Sequence, residues 1–355
     1  MANIFLESFD NITGDDLLTK GYTSFNNFIS VSIGPGRTGN GLILDQAAAG
    51  QIGLNKILPS NYTSLVFGGA FKTASSFPIE EAIWSFSDAN FDQLHICMDT
   101  LGRLIFRQGT LSSGNGANLG PIIGSSNKVY DRGAYYFFEF KIVFSSSSSG
   151  SINYRVNGIS QPSINNVQTS YSGNQYCNII RFWTRAFAGS DAYLYYHDDI
   201  YANDTTGSDN NDYMGDVRIF IDRPAAAAGS SQWAVAGATS NAAAVGDVTP
   251  DADTSYISSN TAGQIDLYTL SAPPSGVGVV KAVQTNLVAR KDDGIIRQIA
   301  PVLGDGVHSN VVGSSVSIGN NYVDYLQSFD RNPLTGAAWA VGDLSTLRLG
   351  VKEVA

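Results

Sequence analysis

Glutamate is nearly missing from this chain of 355 residues. Of its 31 acidic residues only Glu7, Glu80, Glu81, Glu139 and Glu353 are glutamates, and lysine is also scarce. Those two residues populate the surfaces of helices, so their shortage argues against a helical fold. There are two cysteines, Cys97 and Cys177, too few for a disulfide framework. They are read as buried thiols, with a single bridge as the alternative. Three histidines, His95, His197 and His308, stand apart, with no His-Glu-x-x-His pattern and no Cys-x-x-Cys to hold zinc. No Gly-x-Ser-x-Gly elbow is present, and the glycine-rich runs lack the Lys-Ser/Thr of a phosphate cradle. No apolar run is long enough to cross a bilayer as a helix. The start, Met1-Ala2-Asn3-Ile4-Phe5-Leu6-Glu7, lacks the basic residues of a secretory leader. A net charge of −10 opposes a nucleic-acid partner, since phosphates repel an acidic surface.

Aspartate, asparagine, serine and glycine are abundant instead, together with 17 tyrosines and 18 phenylalanines. The first group builds turns by bonding to its own backbone, and aromatics favour strands, so the composition predicts an all-β fold. Short β-like runs alternate with turn signals through the first two hundred residues. Examples are 64–71, 81–86, 94–99, 104–107, 134–144, 151–156, 179–184 and 193–201. Leu94, Ile96 and Met98 alternate with His95, Cys97 and Asp99, as a strand requires. Asp99-Thr100-Leu101-Gly102-Arg103 and Asn157-Gly158 read as hairpin turns. The spacing predicts three parts: a sandwich over residues 1–204, a connecting strand and linker over 205–250, and a smaller β module over 251–355. Residues 211–220 are expected to be a strand leaving the first module, and the uncharged stretch from Pro224 to Gly246 a linker or loop.

The richest local signal is Tyr193-Leu194-Tyr195-Tyr196-His197-Asp198-Asp199-Ile200-Tyr201. A buried strand seldom carries two adjacent carboxylates, because an unpaired charge is costly to desolvate. The pair therefore needs solvent, an arginine or a metal. Neighbouring residues of a strand point to opposite faces, so at most one of the two is expected to share a site with a given loop. Asp198 and Asp199 are the candidate metal ligands, for a structural calcium that Asp10, Asp191 and Asp204 would help to hold. An acidic edge with Arg181 or Arg185 as partner is the preferred reading. No catalytic residue and no other cofactor is expected. Glycoside hydrolysis needs two carboxylates facing one cleft, roughly 5–10 Å apart. Glu80-Glu81 is on the wrong period for that, and Glu139 stands alone in an aromatic run. Trp84, Trp183, Trp233 and Trp339 would stack on sugars if exposed, although aromatics in strands more often fill cores.

The succession Gly39-Asn40-Gly41-Leu42-Ile43-Leu44, 64–71, Ile83-Trp84-Ser85-Phe86-Ser87-Asp88, Leu94-His95-Ile96-Cys97-Met98-Asp99, 134–140, Val156-Asn157-Gly158 and Asp198-Asp199-Ile200-Tyr201 resembles the laminin-G-like, concanavalin-A-like jelly roll. Such modules often bind calcium at their rim. Their glucanase members carry Glu-x-Asp-x-x-Glu or a near variant, which this chain lacks. With Gly215-Asp216-Val217-Arg218, Gln232-Trp233, residues 289–294 and Pro333-Leu334-Thr335-Gly336 added, the chain is similar to virion structural proteins of tailed bacteriophages, in which such a module precedes a second β module. The resemblance implies a non-enzymatic, homo-oligomeric component of a capsid or tail, decorating or cementing the particle or forming part of a fibre. It would pack against other virion proteins after assembly in the host cytoplasm, with neither nucleic acid nor membrane as partner. The alternative is an adhesin for host-surface glycan, followed by a polysaccharide depolymerase.

Overall fold

The computed structural model describes residues 2–25, 31–45, 51–73, 80–110, 119–185 and 194–355. The chain divides into two compact units, one running from Ile4 to Ile219 and the other from Phe220 to Ala355. The first is a β-sandwich. One sheet has the order Ile159–Ser160, Gly150–Val156, Tyr136–Val143, Ser64–Thr73, Leu194–Asp204, Asn40–Asp45 and Val31–Pro35. Asn3–Glu7 also pairs with Leu194–Asp204, and Ile164–Val167 with Gly150–Val156. The other sheet runs Ile122–Val129, Arg103–Gln108, Asp92–Met98, Glu81–Ser87, Cys177–Arg185, Gln51–Tyr62 and Tyr22–Phe25.

Alternation builds the core between these sheets. Phe67 of the first sheet lies 5.5 Å from Trp84, 5.6 Å from Phe86 and 6.5 Å from Phe182 of the second, centroid to centroid. Phe140 meets Phe106 and Trp84 in the same layer. These rings cross edge to face or tilted, the geometry the aromatic quadrupole favours. Trp84 is fully buried, so it is core and no sugar platform. His197 sits in this layer too, 5.1 Å from Phe182, 5.2 Å from Phe71 and 5.6 Å from Trp84. Both of its ring nitrogens are buried without a hydrogen-bond partner among the described residues. Burial alone pushes its pKa down to about 3, so the imidazole is neutral. Cys97 and Cys177 are both buried free thiols.

The second unit has its own sheet, ordered Pro224–Ser231, Ile265–Leu270, Arg348–Glu353, Gln298–Gly304 and Val311–Val312, with Val316–Ser317 also on Gln298–Gly304. Two ribbons complete it, Ala234–Ala236 with Tyr256–Ser258 and Val283–Ala289 with Val323–Phe329. Its apolar clusters are Ala228, Leu267 and Val302, and Leu303, Trp339 and Leu347. Trp339 is therefore core as well, its indole N–H donating to the Phe329 carbonyl. Trp233 is half-buried and donates to the Gln264 carbonyl.

Two expectations are corrected here. Pro224 to Gly246 is no linker: it holds the strand Pro224–Ser231, the strand Ala234–Ala236 and the helix Asn241–Val245, which Ser240 caps through the Ala243 N–H. The organising residue is Asp266. Its carboxylate accepts from the backbone N–H groups of Gln232 and Trp233, from the Asn241 amide and from the Tyr268 hydroxyl. A buried anion with four donors fixes a run of small residues whose own pattern specifies little. Residues 211–220 form no strand. They lie against the outer face of the first sheet, where polar side chains take their backbone groups: Met214 N–H donates to the Tyr201 hydroxyl, Gly215 N–H to Glu139 and Ile219 N–H to Asp199.

Candidate functional site

Asp198 and Asp199 fall at a β-bulge in Leu194–Asp204. The register to Ser64–Thr73 slips between Asp198 and Tyr201, and Asp199 takes φ 51°, the left-handed region. A regular strand would send the two side chains to opposite faces. The bulge breaks that rule, and both carboxylates turn to the same Gly36–Asn40 turn. Asp198 Oδ2 accepts from the N–H groups of Arg37 (2.7 Å) and Thr38 (3.1 Å), and Oδ1 from Asp199 N–H. Asp199 Oδ1 accepts from Ile219 N–H at 2.8 Å, while Oδ2 lies 3.5 Å from the Arg37 guanidinium and 3.8 Å from that of Arg218. Arg37 also pairs with Asp216.

Both carboxylates are fully buried. Burial raises the Asp198 pKa to about 7, with Asp199 adding to it and the three amides opposing. Asp199 rises to about 6 for the same first reason, against Ile219 N–H and the two arginines. The arginine partners are thus Arg37 and Arg218, not the expected ones. Arg181 pairs with Asp92, and the side chain of Arg185 lies outside the described residues.

A cation does not fit here. Three of the four oxygens already accept N–H donors, and the fourth, Asp199 Oδ2, faces the guanidinium groups of Arg37 and Arg218. Asp10 accepts from Asn40 N–H and Asp204 from Thr206, while Asp191 lies outside the described residues. Among the described residues no cluster of three or more acidic, histidine or cysteine side chains is arranged to hold a metal ion. The aspartate pair is a clamp that fastens a turn and the 211–219 segment to the sandwich.

The second sheet presents a different arrangement, which the separate runs of the sequence do not reveal. Leu54, Ile180, Phe182, Trp84, Phe86, Leu94, Ile96 and Phe106 line the core side, so the intervening residues point to the outer face. Register places five of those in one row. Asn55 pairs with Arg181, Arg181 with Ser85, Ser85 with His95 and His95 with Arg107. Arg181 Nη1 donates to Asp92 at 2.6 Å, and Asp92 also accepts from Ser87 at 2.5 Å. Arg107 forks onto Glu80, Nε to Oε1 at 2.5 Å and Nη2 to Oε2 at 2.8 Å. His95 Nδ1 is 2.6 Å from the Ser85 hydroxyl. Among the described residues its Nε2 has no partner, nor has Asn55 Oδ1.

Burial lowers the His95 pKa, with Asp92 opposing and Arg181 and Arg107 reinforcing, so the ring is neutral at neutral pH. The row is therefore balanced in charge: two cations, two anions and a neutral imidazole. Arg107 and Glu80, whose side chains are 20% and 19% exposed, are where it meets the surface.

No family model matches this chain, and no curated protein does. Several solved structures are similar to it at low identity. An endo-β-1,4-glucuronan lyase from the fungus Trichoderma reesei is 13% identical over 57% of this chain and 95% of its own, with a TM-score of 0.43. A carbohydrate binding module from Bacillus subtilis is 11% identical over 52% of this chain and 97% of its own, TM-score 0.33. Botulinum neurotoxin type C, whose cell entry depends on interaction with two ganglioside molecules, is 10% identical over 94% of this chain and 93% of its own, TM-score 0.38.

At these values the likeness is one of fold. None of the three is a virion protein, so the particle, capsid and tail parts of the resemblance gain no support. The expectation that the chain catalyses nothing is corrected. It rested on a missing hydrolase pattern alone, and polysaccharide lyases are among the solved structures to which the chain is similar. The chain itself is all-β, a β-sandwich followed by a second β module.

Proposed function

We propose that the sandwich binds a hydroxyl-rich glycan on the outer face of its seven-stranded sheet, at the Arg107–Glu80 end of the row Asn55, Arg181, Ser85, His95 and Arg107. One observation carries this reading. A buried, charge-balanced row of hydrogen-bonding groups on the sheet face turned away from the core ends in the part-exposed Arg107–Glu80 fork and holds it in place. Each arginine is already locked by a carboxylate, so little side-chain freedom is lost on binding. A host-surface adhesin is the biological form of this proposal.

The test is affinity electrophoresis of the whole chain through gels holding dextran or alginate, a neutral and a uronate polysaccharide. Retardation by at least one of them, lost in Arg107→Gln with an unchanged melting temperature, is the expected result. Equal mobility of both proteins in every gel refutes it. Assay of the same mixtures for new reducing or unsaturated sugar ends reads out cleavage.

A further inference from the structure

We infer that Lys20 and Asn11 become joined by an isopeptide bond in the folded sandwich, with Glu7 as the acid–base group. This stands apart from glycan binding and from the aspartate clamp. Glu7 ends the strand Asn3–Glu7, and Phe9 then turns the chain through φ 62°, a left-handed conformation that bulky side chains rarely adopt. A 3₁₀ turn over Gly14–Leu17 follows, and Lys20 comes just before the strand Tyr22–Phe25. The path gathers three side chains. Lys20 Nζ donates to Glu7 Oε1 at 2.9 Å and to Asn11 Oδ1 at 2.7 Å. The Lys20 and Glu7 side chains are 4% and 3% exposed. Phe9 N–H also donates to Glu7 Oε1, at 3.0 Å, and the rings of Phe9 and Tyr22, 6.2 Å apart, are both fully buried. A buried ion pair recovers its desolvation cost poorly, so its presence calls for a reason. Here the cation's second partner is an amide, which is an electrophile. Its carbonyl carbon is the atom bonded to the oxygen that Nζ already touches.

The exchange balances with these three groups alone. Across their hydrogen bond the Nζ proton passes to Glu7 Oε1, leaving an amine and an acid. The Nζ lone pair adds to Asn11 Cγ, and the carbonyl electrons move onto Oδ1. Glu7 gives its proton to Nδ2 and takes another from Nζ. The electrons on Oδ1 then re-form the carbonyl, the Cγ–Nδ2 bond breaks and ammonia leaves. Two buried charges have become a neutral amide and a neutral acid, which removes the desolvation cost of the pair and favours the product. The fold supplies the orientation that an amine and an amide lack in solution, and burial keeps water from competing for Cγ. The product closes residues 11–20 into a ring that, like a disulfide, restrains the unfolded chain.

Mass spectrometry of the full chain, purified folded and then denatured and digested with trypsin, reports the bond. No lysine or arginine precedes Lys20, and the next one is Arg37. The expected result is no cut after Lys20 and a peptide ending at Arg37 that is lighter than its sequence by one ammonia. Glu7→Gln keeps an acceptor but carries no proton between the nitrogens, so it should release a peptide ending at Lys20. Asn11→Ser, at a half-buried position, removes the electrophile and leaves the buried pair intact. It should fold, release the same peptide and unfold at lower urea than the native protein, which keeps the test open if Glu7→Gln does not fold. Release of a peptide ending at Lys20 from folded native protein overturns the inference, as does a peptide ending at Arg37 with its full mass. A linked peptide in folded Glu7→Gln overturns the role of Glu7.

Discussion

Replacing His197 with leucine should flatten the acid side of the sandwich's stability profile. The imidazole is enclosed by Phe71, Trp84 and Phe182 with no partner among the described residues for either nitrogen. Its folded pKa lies near 3, against 6.5 when unfolded. As pH falls below the unfolded value, the unfolded chain binds a proton that the folded chain refuses, so stability is lost on acidification across that window. Each pH unit is worth ~1.4 kcal/mol, so two units of acidification, to about pH 4.5, cost the native protein ~2.7 kcal/mol through this residue alone. Asp198 and Asp199 act in the opposite direction. Their raised values mean the folded carboxyls take protons before the unfolded ones do, so their contribution is present at low pH and is lost as pH rises through about 6 and 7. The two effects overlap, and the native profile alone would hide both.

The difference between native and variant isolates the histidine, because the aspartates are common to the two. Opening free energies of the amides in Ser64–Thr73, measured by hydrogen exchange, report on the sandwich without interference from the second unit. The variant should match or exceed the native protein at pH 7, since two unpaired buried nitrogens are removed. Its advantage should grow by ~2.7 kcal/mol at about pH 4.5. Parallel profiles would refute the reasoning, because they require the folded imidazole to accept a proton as readily as the unfolded one.

Other consequences are open to equally direct measurement. Asp199→Asn keeps an acceptor for Ile219 N–H but removes a carboxylate whose ionised form burial disfavours. It should stabilise the sandwich by roughly 1–3 kcal/mol at neutral pH, and this gain should vanish by about pH 4, as read by urea unfolding. Asp266→Ala strands the donors of Gln232, Trp233, Asn241 and Tyr268. It should cost the second unit about 3–5 kcal/mol while amide exchange in the sandwich is unchanged. Added calcium should leave the melting temperature of native protein and of Asp198→Asn where it was, because the pair faces N–H donors and guanidinium groups. A rise in the native protein alone would show that a cation does compete for those oxygens.

How much the sequence could reveal depended on the range of the forces involved. Hairpin turns were legible because their chemistry is local. Asp99 accepts from the N–H groups of Leu101 and Arg103, and Asn157 and Gly158 adopt φ 49° and 76°, as such a turn demands. The strand Asp92–Met98 was legible from its alternation. Gln51–Tyr62 was missed, since Asn55, Lys56 and Pro59 break any period-two pattern. Lys56 is nevertheless buried, its ammonium 4.5 Å from the Tyr22 ring and hydrogen-bonded to the Lys20 carbonyl, a niche built from distant residues. The aspartate pair reads in the sequence as needing solvent, an arginine or a metal, but its partner Arg37 lies some 160 positions away, and the bulge that turns both carboxylates toward it leaves no mark on composition. The polar row is the extreme case. Asn55, Ser85, His95, Arg107 and Arg181 each look like an isolated polar residue in an apolar run. The ladder register alone aligns them, and register is fixed by the whole aromatic layer on the far side of the sheet. A one-residue slip of Asp92–Met98 would bury Cys97 and His95 among Trp84 and Phe106 and turn Leu94 and Ile96 outward. The aromatic core forbids that slip, and so the packing that stabilises the sandwich is also what assembles its candidate site.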